Sequence, residues 1–296
     1  MFPLLFSSIV IILIILLFIV VHYFVNFAKK KSKKEEKVEE KTKRRERICC
    51  IYAYYEKDEQ YRQNFRYFLN HAIFDSIDFV LVVNGICTVK IPQRPNIRVL
   101  YRENVGYDFG GYAHGLASIQ KDNYDYFFFV NTSVIGPIMR PGEDRSTWPL
   151  RFIELFQGDI HLVGVTINIC ESPWVASFYQ YPSEPITHVQ SYFFVLDRPA
   201  IDLLEHFVFN TSQLTQSMEE TIIFREVWMS QILLKHGWNI SCIAKKYQNQ
   251  DYRILKYNIN WSSQSSGGDP VYTGHYFGTT LDPYDILFIK TNRGLF

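Results

Sequence analysis

Asp108 is the acid of a glycine-lined stretch, Asn104-Val-Gly-Tyr-Asp-Phe-Gly-Gly111, that follows an apolar strand and enters a helix. A carboxylate is at home in the first turn of any helix, where free N–H groups and the dipole favour it. Gly106, Gly110 and Gly111 are less easily explained, because a glycine inside a helix costs about 1 kcal/mol. That cost is tolerated where something must approach the backbone closely, and a nucleotide phosphate or sugar is the natural candidate. Asn131-Thr132-Ser133 ends the most apolar strand of the chain, and Gly136-Pro137 then turns the chain away. Polar residues at the carboxyl end of a buried strand, beside a helix start, are how α/β enzymes build a nucleotide site. Asp125, at the other end of that strand, is too far along to join them and reads as structural.

Three further places hold groups that could do chemistry. Glu226 lies on a long amphipathic helix, eleven residues before the glycine that stops it, Gly237. Its ordinary alternative is a surface charge pair with Arg225 or a lysine. Glu219 and Glu220, one to two turns earlier, compete with it. His188, Gln190 and Ser191 open a strand rich in aromatics. His275 sits in Gly274-His-Tyr-Phe-Gly278, ahead of Phe288-Ile-Lys290. Either histidine could contact phosphate or metal, or serve as a hydrogen-bonded structural residue. Lys290 could pair with a diphosphate.

The elements that position these groups alternate. Strands are predicted at 48–55, 77–83, 96–101, 124–130, 160–167 and 189–196. Helices are predicted at 61–74, 107–120, 148–156 and 218–236. Alternation of this kind gives an α/β fold with a mostly parallel sheet. The chain of 296 residues is 47% apolar and 17% aromatic, ample for one folded domain or two small ones. The wealth of Phe, Tyr and Trp fits sugar stacking as well as plain core. Cys49, Cys50, Cys87, Cys170 and Cys242 form no CxxC pair and no even framework, so free buried thiols are expected.

The net charge of +1 conceals an asymmetry. Residues 29–47 carry eleven Lys/Arg and five Asp/Glu, whereas 48–296 carry 20 and 25. A mildly acidic body argues against nucleic acid as a partner. The basic run follows a segment, 2–27, without charge. That segment is long enough for one transmembrane helix. It lacks the basic start, short apolar run and small-residue cleavage site of a signal peptide. The expected organisation is a bilayer anchor at 1–28, a charged stalk at 29–47 and one folded domain at 48–296. Lys29–Lys34 after the span, with no charge before it, places the body on the cytoplasmic side.

In order along 48–292, these segments resemble the rhamnan synthesis protein F family of glycosyltransferases. The resemblance implies a GT-A-like, Rossmann-like domain that binds a nucleotide sugar and moves its sugar, such as rhamnose or another deoxyhexose, to a glycan or lipid-linked acceptor. It implies donor contacts from Asn104, Gly106, Asp108, Gly110, Gly111, Asn131, Ser133 and Lys290. It places His188, Gln190 and Ser191 on the acceptor side, and makes Glu226 the general base that takes the acceptor's proton. GT-A enzymes usually hold Mg²⁺ or Mn²⁺ at the Asn131–Ser133 position through an Asp-x-Asp motif. The remaining candidate ligands here are Asn131, Ser133 and His275, because Thr132 stands where the family commonly has Asp. That departure also leaves room for a different class: a catalytically degenerate, lectin-like or scaffold protein on the same fold.

Overall fold

The computed structural model describes residues 46–171 and 185–294. The apolar run and the stalk as far as residue 45 lie outside the described residues. Among the described residues, no helix is long and apolar enough to cross a membrane. The chain divides into two units, Met1–Glu46 and Arg47–Phe296.

The first half of the unit Arg47–Phe296 is a doubly wound α/β arrangement. It runs β1 (Ile48–Tyr54), α1 (Glu59–His71), β2 (Asp78–Asn84), β3 (Ile97–Arg102), α2 (Tyr107–Ala117) and β4 (Tyr126–Asn131). These four strands are parallel and lie side by side as β3-β2-β1-β4. The chain therefore steps from β1 to one edge and returns through α2 to the other side of β1. The carboxyl ends of β1 and β4 flank the switch point of this topology, where open α/β sheets bind their ligands. Arg47 and Asp125 lock the opposite end, with Arg47 Nη2 2.8 Å from Asp125 Oδ1, which gives Asp125 the structural role expected of it.

The second half extends the sheet. It contains β5 (Val134–Ile135), α3 (Leu150–Ile153), β6 (Ile160–Gly164), β7 (Ile167–Cys170), β8 (Ile186–Val189), β9 (Phe193–Asp197) and α4 (Arg198–Leu204). After these come α5 (Met218–Thr221), a π turn (Ile222–Val227), α6 (Trp228–Lys235), β10 (Asn239–Cys242), α7 (Pro283–Ile286) and β11 (Ile289–Lys290). The full sheet has seven strands in the order β10-β6-β9-β4-β1-β2-β3. Only β9 runs against its neighbours β4 and β6. The pairs β7–β8 and β5–β11 are separate and antiparallel.

Two expected strands are each divided. The run 160–167 leaves the main sheet after Gly164, where a Cβ would come within 2.3 Å of Val189 Cγ1. The run 189–196 changes sheets through Gln190-Ser-Tyr192. Apolar continuity marks burial and does not mark a change of sheet, so neither break is visible in periodicity. The long helix at 218–236 forms as expected but has a π turn at its centre, and that turn carries Glu226. Such turns recur at functional sites.

The aromatic residues are mostly core. Phe128 packs edge-on against Trp148 and Phe152 on one face of the sheet. Phe129 stacks on Phe194 and Phe209 on the other face, as strand alternation requires. All five cysteines are free, and only Cys87 is not buried.

Candidate active site

The site forms where β4 ends, α2 begins and the π turn crosses above them. Gly106 caps α2 in a left-handed conformation, φ 74°, without a side-chain cap. This puts Asp108 in the first turn, half-buried and facing β4. Asn131 Nδ2 donates to Asp108 Oδ2 at 2.9 Å, and the backbone N–H of Phe109 donates to Oδ1 at 3.1 Å. Burial, and then the charge of Glu226, raises the Asp108 carboxyl above its ordinary range against these hydrogen bonds. Asn131 is equally committed on its other side: its Oδ1 accepts from Ser133 N at 2.9 Å and Ser133 Oγ at 2.6 Å. Asp108, Asn131 and Ser133 thus form one continuous chain of hydrogen bonds.

Thr132 points the other way. Its hydroxyl donates to Ala53 O at 3.1 Å and accepts from Tyr55 N at 2.9 Å. The residue is buried and ties the end of β4 to the end of β1. Its carbonyl accepts from Asn64 Nδ2 at 2.8 Å. The position where the family commonly has Asp is, in this chain, a structural cross-link.

The glycines have a different explanation from the one their spacing suggests. A Cβ on Gly110 would lie 2.2 Å from Val105 O, and one on Gly111 would lie 3.0 Å from both Ala53 Cβ and Asn84 Nδ2. Both are buried, and they let α2 lie close against its own entry loop and the sheet. Helix packing accounts for them without a ligand. Asn104 is exposed in the same entry loop. Arg102, which sequence spacing did not single out, holds that loop: it donates to Asn84 Oδ1 at 2.6 Å and to Val105 O at 2.7 Å.

Glu226 faces the site across from Asp108. Its Oε2 accepts the backbone N–H of Ser191 at 2.6 Å, and its Oε1 lies 3.7 Å from His188 Nε2. Arg225, the pair partner expected of an ordinary helix glutamate, turns away and bonds the carbonyls of Phe207 and Gln213. Glu219 and Glu220 are exposed. Glu220 accepts from Gln216 N and so serves the start of the helix. Ser191 is itself pinned, its carbonyl accepting from Tyr112 Oη at 2.9 Å. Tyr112 therefore connects α2 to the segment that orients Glu226. No pattern in the sequence marks it, beyond its position in Gly110-Gly-Tyr112.

Beside Glu226 lies a face of unfinished hydrogen bonding. Asn168 on β7 is directly opposite His188 on β8, and Gln190 follows two residues on. Among the described residues, Asn168 Oδ1, His188 Nδ1 and Gln190 Oε1 are buried without a hydrogen-bond partner. Burial lowers the His188 pKa, with Glu226 opposing, which favours the neutral imidazole. Buried polar atoms without partners are rare and ask for an explanation.

Lys290 reaches the site through β11, opposite Val134 of β5, and its Nζ lies 5.4 Å from the centroid of the Tyr192 ring. The His275 Nδ1 is 2.9 Å from Ser266 Oγ. Among the described residues no three His, Cys, Asp or Glu side chains converge as a metal site.

A family model described as rhamnan synthesis protein F matches residues 96–265. The chain belongs to the rhamnan synthesis protein F family. The matched segment contains Asp108, Asn131–Ser133, His188–Ser191 and Glu226, while His275 and Lys290 lie beyond it. No curated protein sequence matches the chain. Among solved structures, the mannosyltransferase PcManGT from Pyrobaculum calidifontis, in complex with GDP-Man and Mn²⁺, is similar at 10% identity and TM-score 0.42, over 68% of this chain and 55% of that one. The catalytic domain of Drosophila β1,4-galactosyltransferase 7, in complex with xylobiose, is similar at 7% identity and TM-score 0.34, over 70% and 66%. A mycobacterial protein is similar at 13% identity and TM-score 0.33, over 53% and 55%. The chain thus spans about half the length of the mannosyltransferase and just under two thirds of the galactosyltransferase.

Proposed function

We propose that this family member is a glycosyltransferase that moves a sugar from a nucleoside diphosphate donor to a hydroxyl of a glycan or lipid-linked acceptor. The observation that carries this reading is the setting of Glu226. A backbone N–H fixes one carboxylate oxygen, and the other faces a histidine whose neutral form burial favours and a row of buried polar atoms without partners among the described residues. In the reaction, the bond from the anomeric carbon to the diphosphate oxygen breaks and its electron pair leaves with the diphosphate. The acceptor oxygen bonds to that carbon and gives its proton to Glu226. His188, Gln190 and Asn168 hold the acceptor's hydroxyls, and Asp108 lies on the donor side. The family name points to rhamnose or another deoxyhexose as the sugar. The apolar run at 2–27 would tether the domain to the cytoplasmic face of a bilayer, and proteolysis of sealed vesicles of known orientation tests that placement.

The continuous Asp108–Asn131–Ser133 chain favours a second reading, a lectin-like or scaffold protein that binds glycan without transfer. A thermal-shift screen of nucleotide sugars separates the two. A donor at 100 times its dissociation constant stabilises the fold by about 2.7 kcal/mol. A panel without any shift, together with binding of free glycan, would support the second reading.

A further inference from the structure

A departing diphosphate needs positive charge beside it, and in GT-A enzymes a divalent cation commonly supplies it. The residues at the end of β4 offer such an ion few free ligands, and among the described residues no three His, Cys, Asp or Glu side chains converge there. Hard cations take oxygen ligands with free lone pairs. Here the Thr132 hydroxyl is used between Ala53 and Tyr55, and Asn131 Oδ1 accepts twice from Ser133. Asp108 Oδ2 holds the Asn131 amide. Of His275, the remaining candidate ligand, the Nδ1 is engaged with Ser266 Oγ.

A fixed cation stands at the same corner. Thr291 N and Thr291 Oγ1 both donate to Ser133 O, at 3.0 and 3.2 Å, so the residue next to Lys290 is anchored to the end of β4. Lys290 Nζ lies against the ring of Tyr192, and Tyr192 O accepts the N–H of Asn131 at 3.1 Å. Among the described residues no carboxylate lies within ion-pair distance of this ammonium. Arg293 contrasts with it, because Asp269 holds the Arg293 guanidinium at 3.2 Å. The charges that act on Lys290 from farther away are Glu226, Asp269, Asp108 and Arg293. Burial pushes the ammonium's pKa down. A half-buried cation whose contact among the described residues is an aromatic ring carries a desolvation cost, and an arriving anion offsets that cost.

We propose that Lys290 is the cation that meets the donor's diphosphate, and that donor binding and transfer by this chain need no divalent metal. The proposal rests on the transferase reading. Its test is calorimetric titration of the full chain in detergent with UDP, GDP and dTDP, each in EDTA and in Mg²⁺ or Mn²⁺, and with the matching nucleosides. The expected result is that at least one diphosphate binds about equally well in EDTA and in metal. Lys290→Met should weaken that diphosphate by about 10- to 100-fold, the range of one charge-assisted hydrogen bond, while the nucleoside binds as before. Lys290→Arg should keep most of the affinity. Unchanged nucleoside binding also certifies that the variant is folded; if Lys290→Met unfolds, the EDTA titration of the native chain and Lys290→Arg decide. Diphosphate binding that requires Mg²⁺ or Mn²⁺ and ignores Lys290→Met would overturn the proposal and leave the transferase reading standing. No binding of any diphosphate under any condition would remove both.

Discussion

The two sides of the site are built to opposite standards. On the side proposed for the donor, Asp108, Asn131 and Ser133 are linked by hydrogen bonds, and Thr132 is consumed in joining β4 to β1. On the side proposed for the acceptor, Asn168, His188 and Gln190 carry buried polar atoms without partners among the described residues, beside a carboxylate held by Ser191. A closed network mainly stabilises the fold, whereas an open one stores a cost that a ligand can remove. The difference teaches that polar residues at a strand end are not all alike: those that complete the fold and those that await a substrate differ in what their lone pairs already do.

Substitutions should therefore separate stability from activity along this line. The largest effect on folding is expected at Thr132. Thr132→Val keeps the shape but strips the Tyr55 N–H of its acceptor and the Ala53 carbonyl of a donor, which should cost about 1–3 kcal/mol in urea denaturation. Donor binding should not change. A loss of donor affinity at native stability would place Thr132 in the chemistry and break the contrast.

A smaller and opposite pattern is expected at Gln190. Gln190→Met removes a buried oxygen without a partner among the described residues, so stability should move by less than about 1 kcal/mol. The KM for the acceptor should rise about threefold to tenfold, the worth of one neutral hydrogen bond. Destabilisation with an unchanged KM would mean that the acceptor side is structural after all.

The smallest effect concerns Asp108 and is sharpened by pH. Folding raises its pKa, through burial and the neighbouring Glu226. An acid shifted upward favours the fold while protonated, fully so below its unfolded pKa of about 3.9, and that contribution is lost as pH rises through the folded value. At pH 7 the charge therefore opposes the fold. Asp108→Asn should give a small gain in melting temperature at pH 7 that closes as the pH approaches 4, together with weaker donor binding. A melting temperature lower at every pH would reduce Asp108 to a helix cap.

Much of this arrangement is legible in the sequence, and the exceptions have physical causes. The apolar runs of β1, β2 and β4 and the helices between them announce an α/β sheet. Asp108, Asn131 and Glu226 stand out by type and spacing, and the fold gathers them at one switch point. Alternation along a strand also implies that Asn131 and Ser133 share a face and Thr132 does not. The packing role of Gly110 and Gly111 is not legible, because only the neighbours supplied by the fold, Val105, Ala53 and Asn84, reveal what their missing Cβ atoms make room for. The place of Lys290 depends on the pairing of β11 with β5 across more than 150 residues, and no local pattern encodes a contact of that range. The partnerless state of Asn168 is likewise a property of its surroundings and not of its own segment.

The role of Glu226 is tested most directly by comparing the native chain with Glu226→Gln for sugar transfer and for donor affinity, using the donor that the thermal-shift screen selects. With Glu226 as the base, turnover falls by about 10² to 10⁴ and donor affinity is unchanged. Near-native turnover in Glu226→Gln would contradict that role.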